Sequence, residues 1–173
     1  MPGGKGFGRD VITTSIAHHR IHQGTFFEVN ILDLAVASAG TLDVLVRVVS
    51  SAHMRIHAAV SADFLAEMTE APITTLDGTP VTAFNLNRFS SRVASTLLFQ
   101  APTITDIGAP ILEQQYLPGG SGGNAIGAQG STFEEILMSP GDYLLRLTNI
   151  SGQANIGSMN IDFYEPPEGA PKV

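Results

Sequence analysis

Cysteine and tryptophan are absent from this chain, and only 14 % of its residues are charged. Without cysteine there can be no disulfide, no thiolate nucleophile and no sulfur-ligated metal, and the redox compartment stays open. Without tryptophan, and with only three tyrosines, the exposed aromatics of a sugar-binding platform are scarce. The amino terminus has no apolar run of signal-peptide length, and no stretch approaches the roughly 18 uninterrupted apolar residues of a membrane span. The expectation is a soluble, unexported protein with no membrane partner. Charge of one sign is also short: the net charge is −7, with +2 on residues 1–23 (Lys5, Arg9, Arg20, Asp10) and −9 on the remainder. An acidic body repels phosphate backbones, so no nucleic-acid partner is expected.

What is present is alternation. Met54, Ile56, Ala58, Val60, Ala62, Phe64, Ala66 and Met68 are apolar, and His53, Arg55, His57, Ser61, Asp63, Glu67 and Thr69 take most intervening positions. Period two makes one face for a core and one for water, which is a β pattern. A helix over residues 62–71 competes, since Ala, Leu, Glu and Met favour helix, but the alternation runs through that segment unbroken. A strand this long must bend or cross between sheets.

The rest of the chain follows suit. Residues 1–24 are glycine-rich without sustained period and predict a flexible, extended N-terminal arm. Residues 26–36 and 42–49 predict strands joined near 38–41. Asp77-Gly78 between residues 73–76 and 80–84 predicts a hairpin. Residues 93–99 predict a well-buried strand. A strand is expected over 111–117, a long glycine-rich loop over 118–130, and strands over 132–138, 143–150 and 156–164, with Pro140-Gly141-Asp142 and Ser151-Gly152 as turns. Residues 166–173 predict a disordered tail. At 173 residues the chain suits one core, and a body over 25–165 of many short strands without a long helix predicts an all-β, antiparallel two-sheet sandwich, jelly-roll-like. No fixed-period repeat suggests a propeller or solenoid.

Chemical motifs are weak. Gly119-Gly120-Ser121-Gly122-Gly123 has the letters of a nucleophile elbow, but no helix follows to hold the serine, and the relaxed dinucleotide fingerprint at Gly120, Gly122 and Ala125 lacks its βαβ setting. His53 and His57 share a strand face with Arg55 between them, where a guanidinium opposes a cation. His18, His19 and His22 cluster in the arm, with scope for adventitious metal binding but not for a structural site. Asn149-Ile150-Ser151 has acceptor letters for glycosylation, yet better suits a strand cap opening a turn. Glu134-Glu135, as strand neighbours, point to opposite faces and do not form an acid–base pair. No catalytic residue, cofactor or metal is therefore expected.

Leu76-Asp77-Gly78-Thr79, Asn85-Leu86-Asn87-Arg88 with Ser90-Ser91, Glu134-Glu135-Ile136-Leu137, Tyr143-Leu144-Leu145-Arg146-Leu147-Thr148-Asn149 and Phe163-Tyr164-Glu165 together resemble small virion proteins of tailed bacteriophages, the decoration or cement class. The resemblance covers residues 40–165 and leaves the arm unmatched. It implies a jelly-roll protein on the capsid exterior, an oligomer that clamps neighbouring major capsid subunits without catalysing anything. The low charged fraction independently predicts a homo-oligomer, dimer or trimer, whose partners cover apolar surface. The arm is expected to latch onto a neighbour, with Phe7, Ile12 and Ile16 as apolar anchors and Arg9 and Arg20 meeting acidic groups. Two other functions fit the same fold: a carbohydrate- or receptor-binding sandwich, and a cupin-type enzyme with clustered His and Glu.

Overall fold

The computed structural model describes residues 15–119 and 128–166. Among these residues one helix, α1 (Ile16–His22), precedes thirteen strands: β1 (Phe26–Val36), β2 (Thr41–Val48), β3 (Ala52–Val60), β4 (Phe64–Glu70), β5 (Ile73–Leu76), β6 (Thr79–Val81), β7 (Phe84–Asn85), β8 (Leu97–Gln100), β9 (Thr103–Asp106), β10 (Ala109–Leu117), β11 (Ala128–Met138), β12 (Gly141–Asn149) and β13 (Asn155–Tyr164).

The pairing is that of a ribbon rolled up on itself. Four strands from the first half meet four from the second in reverse order, β1 with β13, β2 with β12, β3 with β11 and β4 with β10, all antiparallel. Contacts of β3 with β13 and of β4 with β12 then close the roll into two sheets, ordered β11-β3-β13-β1-β7 and β10-β4-β12-β2-β8-β6. This is the jelly-roll arrangement expected from the sequence. The core between the sheets takes alternate residues from every long strand: Phe27, Val29 and Ile31 of β1, Met54, Ile56, Ala58 and Val60 of β3, Phe64, Ala66 and Met68 of β4, and Met159, Ile161 and Phe163 of β13. The long alternating stretch is thus two strands in opposite sheets. Residues 61–63 carry the chain across, and a three-residue corner keeps the parity, so the same positions face the core on both sides.

A third layer lies outside the second sheet. Leu45 and Leu144, register partners on β2 and β12, are 0 and 1 % exposed although they alternate out of phase with the core residues beside them. The small antiparallel ribbon β5·β9 leaves the sheet at Glu70 and returns at Gln100, which carries it across β12 and β2 in the sheet order. It is tied down where Arg47 makes two-pronged bonds to both Asp77 (2.8 and 3.1 Å) and Asp142 (both 2.9 Å), and where Thr69 donates to the Ile107 carbonyl. These carboxylates raise the pKa of Arg47, so the tie is a permanent charge pair.

Four local expectations are corrected. The Asp77-Gly78 hairpin does not form: Gly78 does turn with positive φ (96°), but β5 pairs with β9 and β6 with β8. A side chain at Gly78 would stand 2.4 Å from the Gln100 carbonyl, so the glycine serves close backbone approach. The buried strand expected over 93–99 shrinks to Leu97–Gln100, with Val93 exposed. Within the N-terminal arm, residues 16–22 are helical rather than extended. Ser15 caps this helix by accepting from the His18 amide (3.2 Å). Gly24, at φ 67°, ends it with the left-handed residue common beyond a C-cap. The loop expected over 118–130 is partly strand, since β11 begins at Ala128. Phe7, Arg9, Ile12 and the tail beyond Pro166 lie outside the described residues.

Candidate interaction surface

Residues 79–97 form an excursion that links the open edges of the two sheets. β6 adds to β8, the chain crosses so that β7 adds to β1 with Phe84 opposite Glu28, and it returns to β8. A short edge strand cannot hold such a path alone, so side chains do it. The Asn85 amide donates to the carbonyls of Gly24 (2.9 Å) and Arg92 (3.0 Å), and its oxygen accepts from the Asn87 amide (2.9 Å). Asn87 donates to the His22 carbonyl (3.1 Å), which pins the excursion to α1.

The strongest anchor is Glu165, whose side chain is 1 % exposed. Its carboxylate accepts from the Ser95 amide (2.9 and 3.1 Å), the Ser95 hydroxyl (2.9 Å) and the Thr96 amide (2.6 Å). Arg92 lies 3.8 Å away and also donates to the Pro166 carbonyl at 3.1 Å. A buried charge is tolerated only when paired and hydrogen-bonded in this way.

What this scaffold presents is apolar. Phe84, Phe89 and Val93 are 61, 101 and 83 % exposed, and the Asn85–Arg92 bond brings Phe84 and Val93 to the same part of the loop. Beside them a groove of about 360 Å³ is lined by Pro80, Val81, Ala83, Val93, Ala94 and Leu97. Exposed Arg88 adjoins Phe89. Single exposed apolar residues are ordinary, but several on one ordered loop beside an apolar groove mark a contact surface. Sequence reasoning missed these residues, because it assigned Val93 to a buried strand and Phe84 to a hairpin arm.

The outer face of the first sheet is mixed, with Leu32, Leu34, Leu137 and Ile156 exposed beside polar groups. His53 bonds Glu135 (2.8 Å) and stacks on Tyr164 (4.5 Å between centroids). The Tyr164 hydroxyl donates to the same Glu135 oxygen. That bond, and then His53, hold the Glu135 carboxyl below its usual range. Burial, and then Glu135, push Tyr164 up to about 12. His57 lies 4.0 Å from Asp162, whose pKa burial raises. His53, Arg55 and His57 share this face as the alternation requires.

Arg20 folds over the Tyr164 ring, 5.2 Å from its centroid, and donates to Gln23 (3.1 Å), so it docks α1 on the body. Ile16 is exposed on the same helix. Asn149 is fully buried, and its amide donates to the carbonyls of Val36 and Gln153, so this asparagine is a turn-building residue and not a glycan acceptor. Ser121 lies outside the described residues. Among the described residues no three His, Asp or Glu side chains form a group that could hold a metal ion. Among the same residues no helix is long and apolar enough to cross a membrane.

No family model matches the chain, and neither a curated protein nor a solved structure matches it significantly. The surface must therefore be interpreted from its own chemistry.

Proposed function

We propose that the protein is a structural virion component that binds the outer surface of a phage capsid as a homo-oligomer and stabilises contacts between major capsid subunits. The observation that carries this is the set of exposed Phe84, Phe89 and Val93 on a loop fixed by the buried Glu165 carboxylate. An ordered apolar surface loses little conformational freedom on binding, and flanking Arg88 suits an acidic rim on the partner. The resemblance of the strand and turn motifs to those of decoration proteins supports the same reading, as does the jelly-roll body. Residues 1–14, with Phe7, Arg9 and Ile12, supply a second, basic contact in this proposal, while Arg20 contributes by seating α1. No cofactor, nucleic acid or membrane enters it.

The test is co-sedimentation with capsids assembled from the major capsid protein that accompanies this chain, alongside light scattering of the free protein. Saturable binding by an oligomer is expected. Binding to immobilised glycans without binding to capsids would replace this function with a receptor-binding one.

A further inference from the structure

His18 and His22 stand one turn apart on α1, both exposed, with their Nε2 atoms 3.0 Å apart. Their ring centroids are 4.5 Å apart and their planes cross at 67°. Two arrangements bring imidazole nitrogens this close: a hydrogen bond between the rings, or two lone pairs turned to one cation. Each nitrogen lies about 1.1 Å from its ring centre, so a straight N–H···N bond of this length would put the centroids about 5.2 Å apart. The observed spacing is shorter, so the rings are inclined to the N···N line: without a metal they share a bent hydrogen bond, and a point beside that line lies within reach of both nitrogens. A cation about 2.0–2.1 Å from each nitrogen would see them at an angle of about 91–97° and would set the centroids about 4.6 Å apart.

Two imidazoles in adjacent coordination positions suit late first-row divalent ions, among which Cu²⁺ stands highest in the affinity order. The geometry points to His18 and His22 as a bidentate site for a late first-row divalent cation, Cu²⁺ foremost, with water completing the coordination. The helix is held in the required form from both ends: Ser15 caps it, Asn87 binds the His22 carbonyl, and Arg20 rests on Tyr164. The sequence pattern already showed the histidines, and only the helical turn brings these two nitrogens together and leaves His19 out.

The test is titration of the full chain with CuCl₂, followed by calorimetry and electron paramagnetic resonance. One Cu²⁺ per chain with nitrogen hyperfine splitting is expected, with Ni²⁺ and Zn²⁺ weaker. His18→Ala and His22→Ala should each lower the affinity by about tenfold or more, and His19→Ala should leave it within about twofold. Absence of binding, unchanged affinity in His18→Ala or His22→Ala, or an equal loss in His19→Ala would each overturn the site.

Discussion

Replacing Glu165 by glutamine removes the charge that orders the apolar surface while keeping the side chain's size. The carboxylate accepts three donors from Ser95 and Thr96 at 2.6 to 3.1 Å. Glutamine offers one oxygen and turns an amide N–H₂ toward the remaining donors, so one or two bonds are lost and a buried N–H is left unmet. Hydrogen bonds to charged groups contribute about 1.5–3 kcal/mol each, which gives a loss of about 1.5–6 kcal/mol. For a domain of this size that lowers Tm by about 3–24 °C. Urea unfolding and calorimetry measure the global loss, and hydrogen exchange at the Ser95 and Thr96 amides measures any opening confined to the loop. A variant within about 0.5 kcal/mol of wild type, with amide exchange at both residues unchanged, would refute the claim that this carboxylate holds the loop.

Leu144→Ala should destabilise by about 2–4 kcal/mol by urea unfolding despite lying outside the main core, because β5·β9 covers it; an effect under about 0.5 kcal/mol would show that the third layer is loose. Phe89→Ser should leave unfolding within about 0.5 kcal/mol of wild type, since the ring is fully exposed, and should weaken capsid binding. Tyr164→Phe should let the Glu135 carboxyl rise toward its ordinary pKa, read by carbon NMR. Glu135 is depressed in the folded protein, so its contribution to stability is present above the unfolded pKa and lost as pH falls through the folded one. Tyr164 is raised, so its contribution is complete below pH about 10 and is lost as pH climbs toward about 12. The urea midpoint of wild type should fall more steeply over that alkaline range than that of Tyr164→Phe, and equal slopes would contradict the assignment.

The long strands were legible because period two and β-branched residues act locally: β1 spans the segment that its composition marked, and the 54–68 alternation survives a crossing between sheets. Pairing was less legible, because partners are chosen at long range. Asp77-Gly78 carries correct turn chemistry, yet Arg47, thirty residues away in sequence, captures Asp77 and lays the ribbon over the sheet. The covered layer did leave a trace: Val44-Leu45-Val46 and Tyr143-Leu144-Leu145 interrupt the alternation, as strands buried on both faces do. For the candidate surface the trace was apolar Phe84, Phe89 and Val93 set among Asn, Arg and Ser. The segment that presents them is anchored at Ser95 and Thr96 by Glu165, about seventy residues away, which no local pattern could supply. Helix α1 has a legible cap in Ser15 but only 7 residues, too few for a period to emerge.

Capsid binding by wild type beside a Phe84→Asp/Val93→Asp double variant tests the central claim most directly, because the two proteins differ only on the candidate surface. The account predicts that wild type co-sediments with capsids to a fixed number of copies per particle, while the folded variant stays in the supernatant. Equal saturation by both proteins, or a wild type that never sediments with capsids at micromolar concentration, would contradict it.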